Sequence, residues 1–450
     1  MAAGFTLLQR STLLVRALHR KRAAILLPTS PQFLTALAAS EGRGAVLINP
    51  LAAPAELAYQ IDDAGVGAVF TTEALAPRLP VGCVRVLLDD APRSARVAEG
   101  RSTTDVDLGS HAGLRLEGER GVAGVDEECA VVYTSAMAGR ALGARLTHRN
   151  LIANARQTIE AAGLTNADHC LACLPFSHLF GLTVTGSAML MVGGRVTTMP
   201  RFRPLSAADL IVNEGVTVLV GVPSLYAGLL AAMKRRGRDL AGHRIRLCLC
   251  GGAPVDPALQ DRWFDETGSE LRQGYGLTEA SPVCLCNRSA HPNRRGTLGT
   301  AFPGCEVTIR DPATQREVSD GTVGEISVRG DTVFAGYVRG GESGLQVRDG
   351  WLCSGDRGVR HEDGTISFHG LFKDMFTRNG FNVYPAEVAR VLGTMPGVRG
   401  VRVFAVPEPS RENDLGVDLV GRVTEAEVRT WCEDRLSAYK LPTVIRIASE

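Results

Sequence analysis

Lysine is scarce in this chain of 450 residues. Lys21, Lys234, Lys373 and Lys440 are the only four, although Lys and Arg together number 49. The positive charge is almost all arginine, so each position where a lysine is missing can be inspected singly. Charge of one sign is not in excess either. The 49 bases face 48 acids, a formal +1, with no long run of like charge. A protein that neutralises many phosphates along a polynucleotide carries a basic surplus, so nucleic acid is excluded as the main partner. Internal repeats and low-complexity linkers are absent. Uninterrupted apolar runs are few. The longest stretch without acid, base or histidine runs from Gly215 to Met233, and Pro223-Ser224 divides it into a β-branched half and an Ala/Leu half. That division predicts a buried strand (Val216 to Val222) and then a helix capped by Ser224 and closed by Lys234, Arg235, Arg236 and Gly237, not a membrane span.

With 45% apolar and 22% charged residues the composition is that of a globular protein, and the length suits about three domain-sized units. The eleven cysteines are odd in number and scattered through apolar segments, which fits a reduced compartment better than a disulfide framework. Cys170 and Cys173, with His169 and His178 nearby, imitate a metal knuckle. A structural zinc site needs a second closely spaced ligand pair, and Cys248 and Cys250 lie one residue apart on an apolar strand, so buried core cysteines are expected instead. Cys284 and Cys286 read the same way. Arg10, Arg16, Arg20, Lys21 and Arg22 precede the first acid, Glu41. This suits a short amphipathic helix leading into AAILL in a cytoplasmic protein, with an organellar import signal as the alternative.

Strand-like and helix-like segments alternate over most of the chain: AAILL (23–27), QFLTALAAS, AVLIN (45–49), PAELAYQIDDAG, AVFTT (68–72), and later VTVLVGV, RIRLCLC (244–250), a helix from about Asp256 to Thr267, and ELRQGYG. Such alternation predicts doubly wound parallel sheets. From Val307 the texture changes to short strands with Gly and Asp turns, as in a small antiparallel sheet or barrel. A compact α+β tail follows, in which Thr424 and Glu427 form a capping box for the helix ending in RLSAYK. The expected fold is α/β: a large N-terminal region, residues 1–370, joined to a small C-terminal α+β domain, residues 371–450.

Ligands of open parallel sheets bind beyond the carboxyl ends of the strands. Three polar or Gly-rich segments follow strands in this way: TSAMAGRALG (134–143), CGGAP (250–254) and YGLTE (275–279). The first has the outline of a phosphate loop between a strand and the helix starting near Thr147, with Thr134, Ser135, Gly139 and Gly143 able to approach phosphate oxygens. In the third, Thr278 can meet a phosphate oxygen, Glu279 a divalent metal, and Tyr275 the face of a base. His148 caps or orients the helix after the first loop. The G-x-S-x-G elbow of serine hydrolases is missing.

The order TSxxxGxxxG, LPFSHLFG, CGGAP, QGYGLTE, GEISVRG, GWLCSGD, FKDMFTRNGFNVYPAEV and YKLP resembles the adenylate-forming superfamily of acyl-CoA synthetases, across about residues 23–445. The resemblance implies a two-step reaction. A carboxylic acid reacts with ATP and Mg2+ to give an acyl-adenylate and pyrophosphate; the C-terminal domain rotates; and a thiol, that of coenzyme A or a carrier protein, takes the acyl group. It implies that Thr278 contacts the α-phosphate and that Glu279 holds magnesium. Gly251, Gly252, Ala253 and Tyr275 would sandwich adenine, and Asp356 would accept from both ribose hydroxyls. Lys373 falls at the hinge and Gly380 in the loop lining the thiol tunnel. His178 stands between acyl pocket and thiol entrance. FSHLFGLTV lacks the Asp that amino-acid-activating members use, so an aliphatic or aryl acid is expected, a fatty acid first. A homodimer is compatible with the sequence.

The departures fall on the ATP side. Ala136, Met137 and Ala138 replace a glycine and two hydroxyl residues of the family's phosphate loop, Leu142 replaces its lysine, and Leu371 stands for the arginine that joins the ribose-binding aspartate. The family's later catalytic lysine would lie past Glu450. Losing one preorganised donor costs about 2.7–4 kcal/mol, on the order of 10²–10³ in rate. Two such losses would remove roughly 5–8 kcal/mol if additive, unless Arg140 or Arg145 supplies the charge; arginine is always protonated and suits phosphate. Two readings stay open: an ATP-dependent acyl-CoA synthetase, or a degenerate adenylate-binding homologue that serves as a partner subunit or performs only thioester formation.

Overall fold

The structure is a computed structural model. It describes residues 22–40, 43–88, 94–99, 102–107, 124–134, 140–237, 239–340, 344–372, 374–408, 410 and 412–448. The basic N-terminal segment before Arg22, and the expectations for Ser135, Gly139 and Lys373, lie outside these residues.

Eight strands form the first sheet: β1 (Arg22–Ile25), β2 (Ala45–Leu47), β3 (Val66–Thr71), β4 (Val84–Leu88), β5 (Ser94–Glu99), β6 (Ser102–Asp107), β7 (Glu128–Thr134) and β8 (Leu142–Thr147). Their spatial order is β6-β5-β4-β3-β1-β2-β7-β8. The central five are parallel, and the outer three are antiparallel. Short runs such as AVL are buried along their whole length because helices such as Pro31–Ala39 and Pro54–Asp63 pack on the sheet.

The second sheet holds β9 (His169–Ala172), β10 (Arg195–Thr198), β11 (Val218–Gly221), β12 (Leu247–Cys250), β13 (Leu271–Gly276), β14 (Val283–Cys286) and β15 (Thr300–Ala301), in the order β10-β9-β11-β12-β13-β14-β15. The first five of that order are parallel. One apolar core, from Ile25 and Phe33 through Cys170 and Val220 to Ile326 and Leu352, unites these two sheets with a third, curled antiparallel one. The third comprises β16 (Glu306–Arg310), β17 (Gly324–Arg329), β18 (Val347–Arg348), β19 (Trp351–Arg360) and β20 (Ile366–Leu371). The inner faces of all three sheets are apolar and share cover in this core, as expected of one large N-terminal region, while two further apolar clusters lie on the outer faces of the first two sheets.

The remaining elements have their own core, built on Val388, Leu392, Leu415, Val417, Leu419 and Val428. They are the hairpin β21 (Phe376–Arg378) and β22 (Phe381–Val383), the helices Pro385–Gly393 and Glu425–Glu433, and a sheet of β23 (Val398–Glu408), β24 (Glu412–Gly421) and β25 (Val444–Ala448). Thr424 caps the second helix reciprocally with Glu427, as the spacing predicts.

Three local expectations need correction. The helix after β11 runs Pro223–Arg236 with Val222 as its cap, so Ser224 lies inside the first turn; proline at the first helical position needs no amide donor. Its end at Gly237 in the left-handed region is as read. The C-terminal helix stops at Glu433, and SAYK lies in a separate short turn. The helix expected near Thr147 is there, His148–Ala162 capped by Thr147, but the strand β8 lies between it and the first Gly-rich segment and pairs antiparallel with β7.

Candidate active site

A cavity of about 790 Å3 opens between the large region and the C-terminal elements. All three loops picked out from the sequence reach it, through Thr134, through Gly251, Gly252, Ala253 and Pro254, and through Tyr275, Thr278 and Glu279. Ser177, His178, Asp356, Leu371 and Gly380 line it as well. Parallel strands of one sheet end together, so β12 and β13 deliver their following loops to one place, and the end of β7 in the first sheet meets them at the same cavity.

The register of the second sheet shifts at Tyr275/Gly276, where β13 meets β14. That irregularity releases the chain into the tight turn Thr278–Ala280. The Tyr275 hydroxyl donates to Asp356 Oδ2 at 2.6 Å. Burial, then the charge of Asp356, pushes the Tyr275 phenol well above its ordinary value, so it stays a donor. Asp356 lies opposite Leu371 across β19 and β20. The position where the resemblance expects an arginine is therefore adjacent to the aspartate, with an apolar side chain facing the cavity.

Glu279 is 5% exposed. Its Oε1 accepts from the Tyr337 hydroxyl at 2.8 Å, and its carbonyl accepts from the Phe334 amide at 2.9 Å. Among the described residues no group of three or more His, Cys, Asp or Glu could hold a metal by itself. One buried carboxylate suits magnesium, which commonly takes its other ligands from substrate phosphates and water.

His178 lies just before a wide-turn helical segment, Phe180–Ser187, and its Nδ1 accepts from the Phe180 amide at 3.2 Å. Burial pushes its imidazole down to about 4, so it is neutral near pH 7. Gly380 occupies the turn between β21 and β22 with φ +74°. A Cβ there would stand 2.4 Å from Val222 Cγ1, and the Gly380 carbonyl lies 3.6 Å from the place a Cβ of Gly252 would take. Glycine at both positions lets the C-terminal hairpin press onto the CGGAP loop.

The rest of the wall contains charged groups whose partners the motifs did not reveal. Lys440 is 3% exposed, and its Nζ donates to Glu56 Oε1 and Glu387 Oε1, both at 2.7 Å. Glu56 Oε2 accepts from the Ala53 amide at 2.8 Å and from the Ser437 hydroxyl. Glu56 belongs to the large region and Glu387 to the C-terminal core, so the ammonium joins the two and is not directed at a ligand. In the sequence Lys440 was marked by the scarcity of lysine and by its place in YKLP, but neither revealed its two carboxylate partners. Of the two arginines offered as substitutes, Arg145 is committed: its Nε donates to Glu128 Oε2 at 2.7 Å, and Arg22 holds the other oxygen of the same carboxylate. Arg140 lines the cavity.

Sequence comparison places these observations in a family. The sequence model of the AMP-binding enzyme family matches residues 11–338. The chain belongs to the AMP-binding enzyme family. As a member of that family it is an acid–thiol ligase of the acyl-CoA synthetase type, with ATP, Mg2+ and coenzyme A as the family's cofactors. It is 33% identical over 430 residues to a feruloyl-CoA synthase of Amycolatopsis sp., covering 94% of this chain and 83% of the relative. It is 29% identical over 464 residues to a long-chain-fatty-acid–CoA ligase of Escherichia coli O157:H7, covering 95% and 82%. Among solved structures, a malonyl-CoA ligase in a ternary product complex with methylmalonyl-CoA and AMP superposes with a TM-score of 0.80 at 26% identity, covering 97% of this chain and 92% of that one.

The cysteines of this AMP-binding enzyme are all free, and most are buried. Burial pushes the Cys173 and Cys286 thiols up to about 12, which suits inert core packing. Among the described residues, no helix is long and apolar enough to cross a membrane.

Proposed function

We propose that this chain activates a carboxylic acid with ATP and passes the acyl group to the thiol of coenzyme A or a carrier protein. The observation that carries the proposal is the single cavity on which the three loops, Asp356, His178 and the Gly380 turn converge. In the first step a carboxylate oxygen bonds to the α-phosphorus and the bond to the bridging oxygen breaks, releasing pyrophosphate. In the second the thiol sulfur bonds to the acyl carbon and AMP leaves. Magnesium, when bound, offsets phosphate charge beside Glu279.

The chain's own groups divide this work. Thr278 donates to the α-phosphate. Gly251, Gly252 and Ala253 present backbone to one face of adenine, with the Tyr275 ring on the other. Asp356 accepts from the ribose, its Oδ2 already held by Tyr275. His178, neutral, separates the acyl pocket from the thiol path without repelling or attracting the incoming carboxylate. The Gly380 turn, pressed on the CGGAP loop, supports an arrangement suited to thiol transfer, with residues 371–450 moving as one unit about Lys373. Phe180, Val283 and Leu298 in the wall favour an acid with an apolar body, and a fatty acid is the first choice.

A second reading has its own support. Leu142 and Leu371 put apolar groups where charge is expected, which favours an adenylate-binding protein that performs only thioester formation or serves a partner. Acid-dependent exchange of labelled pyrophosphate into ATP, run across fatty and hydroxycinnamic acids, decides between them. Exchange establishes the full ligase, and the best acid names the substrate class. No exchange, with thioester formation from a supplied acyl-adenylate intact, establishes the second reading.

A further inference from the structure

The wall of the cavity that lacks a lysine at Leu142 holds a cation close by. Arg140 and Leu142 both line it. Arg140 stands in the bend just before β8, two residues ahead of Leu142, which opens that strand. Because both residues border the same cavity, a cation at 140 stands beside the place where one at 142 would act. Arg140 is exposed, and its guanidinium lies 4.1 Å from the centroid of the Tyr59 ring.

That ring is itself fixed. The Tyr59 hydroxyl donates to the Ala141 carbonyl at 2.8 Å, and the ring meets Tyr133 edge-on at 6.0 Å. The Tyr133 hydroxyl in turn donates to Asp63 at 2.7 Å. The guanidinium also meets the Tyr59 hydroxyl; a ring and one hydroxyl orient it and leave most of its five N–H groups available, whereas a carboxylate would take its paired edge. Arg145 shows the contrast, tied to Glu128. Lys440 is tied between two carboxylates.

We propose that Arg140, held on the Tyr59 platform, is the group that binds the β- and γ-phosphates of ATP in this chain, in place of the lysine missing at Leu142. The inference rests on the ligase reading for its catalytic meaning, but its binding content stands alone. An arginine there meets two phosphate oxygens at once, so the leaving pyrophosphate acquires its charge against a fixed cation.

The test uses the full chain as wild type, Arg140→Ala, Arg140→Lys, and Arg140→Ala combined with Leu142→Lys. Two quantities are read: acid-dependent pyrophosphate exchange, and the affinities for ATP and for AMP by calorimetry. Arg140→Ala is expected to lower exchange on the order of 10²–10³-fold, to weaken ATP, and to leave AMP, which lacks the outer phosphates, unchanged. The double variant is expected to recover at least tenfold of the loss, and Arg140→Lys to fall between wild type and Arg140→Ala. Exchange equal to wild type in Arg140→Ala overturns the proposal. So does an equal loss of ATP and AMP binding, since that marks collapse of the platform, and so does failure of Leu142→Lys to rescue. If wild type exchanges with no acid, the ligase reading fails by itself. Binding then decides: tighter ATP than AMP, with the difference erased in Arg140→Ala, upholds the phosphate role, and equal affinities in wild type overturn it.

Discussion

Lys440→Met removes the one ammonium at the junction of the two cores among the described residues, while keeping a long apolar stem. Two carboxylates, Glu56 and Glu387, would then face each other without a cation in a place where the lysine was 3% exposed. Removing one partner from a buried ion pair costs about 3–5 kcal/mol, more than the pair itself contributes. The variant has one escape, protonation of a carboxylate. Burial already pushes Glu387 above the ordinary carboxylate range despite Lys440, and its Oε2 is buried without a hydrogen bond. A carboxyl group whose folded pKa is raised contributes stability below its unfolded value near 4.3 and loses it as pH rises through the folded value. The wild-type lysine, whose pKa is raised by its partners, keeps its contribution at every pH below its unfolded value of 10.5. The penalty in Lys440→Met is therefore expected to be near its full 3–5 kcal/mol at about pH 8 and to shrink by half or more at about pH 5. Glu56→Gln severs only the link across the junction and should cost about 1.5–3 kcal/mol. Urea unfolding at both pH values measures the penalty, and hydrogen exchange in the helix Pro385–Gly393 shows whether the junction has opened. A Lys440→Met penalty that is the same at both pH values would refute the electrostatic reasoning. A variant as stable as wild type at pH 8 would refute the burial itself.

Three further expectations rest on separate observations. With its imidazole held down to about 4, His178 is neutral throughout the physiological range, so the rate of thioester formation should show no titration near pH 6.5; an inflection there that disappears in His178→Asn contradicts the depressed imidazole. Asp168 is buried, which pushes its pKa up, but bonds from Arg246, the Thr165 amide and Thr217 outweigh this and bring it down to about 2. That depression is worth about 2 kcal/mol of stability, present above the unfolded value near 3.9 and lost as pH falls toward 2; Asp168→Asn should therefore weaken the protein at pH 7 and flatten its acid denaturation, and an unchanged acid midpoint counts against the network. Leu371→Arg puts a donor opposite Asp356 and should tighten AMP binding about tenfold, read by calorimetry; unchanged affinity means the ribose lies elsewhere.

Much of the scaffold was legible from local signals. The alternation of β-branched and helical runs marks β11, β12 and β13, and the Thr424–Glu427 pair marks a helix start. The motif order assembled the candidate site, whose loops do line one cavity. Ser224 misled because a serine beside a proline satisfies the same cap preference one residue too late. The hairpin at Thr134 to Leu142 misled because a Gly-rich turn after a strand reads alike whether a helix or a second strand follows. Tyr337, which holds Glu279, stands in an irregular segment with no motif of its own.

Periodicity, caps and motif order involve residues within a few positions of one another, so the sequence by itself determined the α/β class, the family and the line-up of candidate ligand groups. The fate of the charges was decided only in three dimensions. Glu56 and Lys440 are 384 positions apart, and nothing near either one reveals the other. Arg140 and Arg145 are equivalent along the chain, and they differ because Glu128 lies beside one and the face of Tyr59 beside the other. Whether a charge is available to a ligand depends on which neighbour reaches it first, and packing chooses that neighbour.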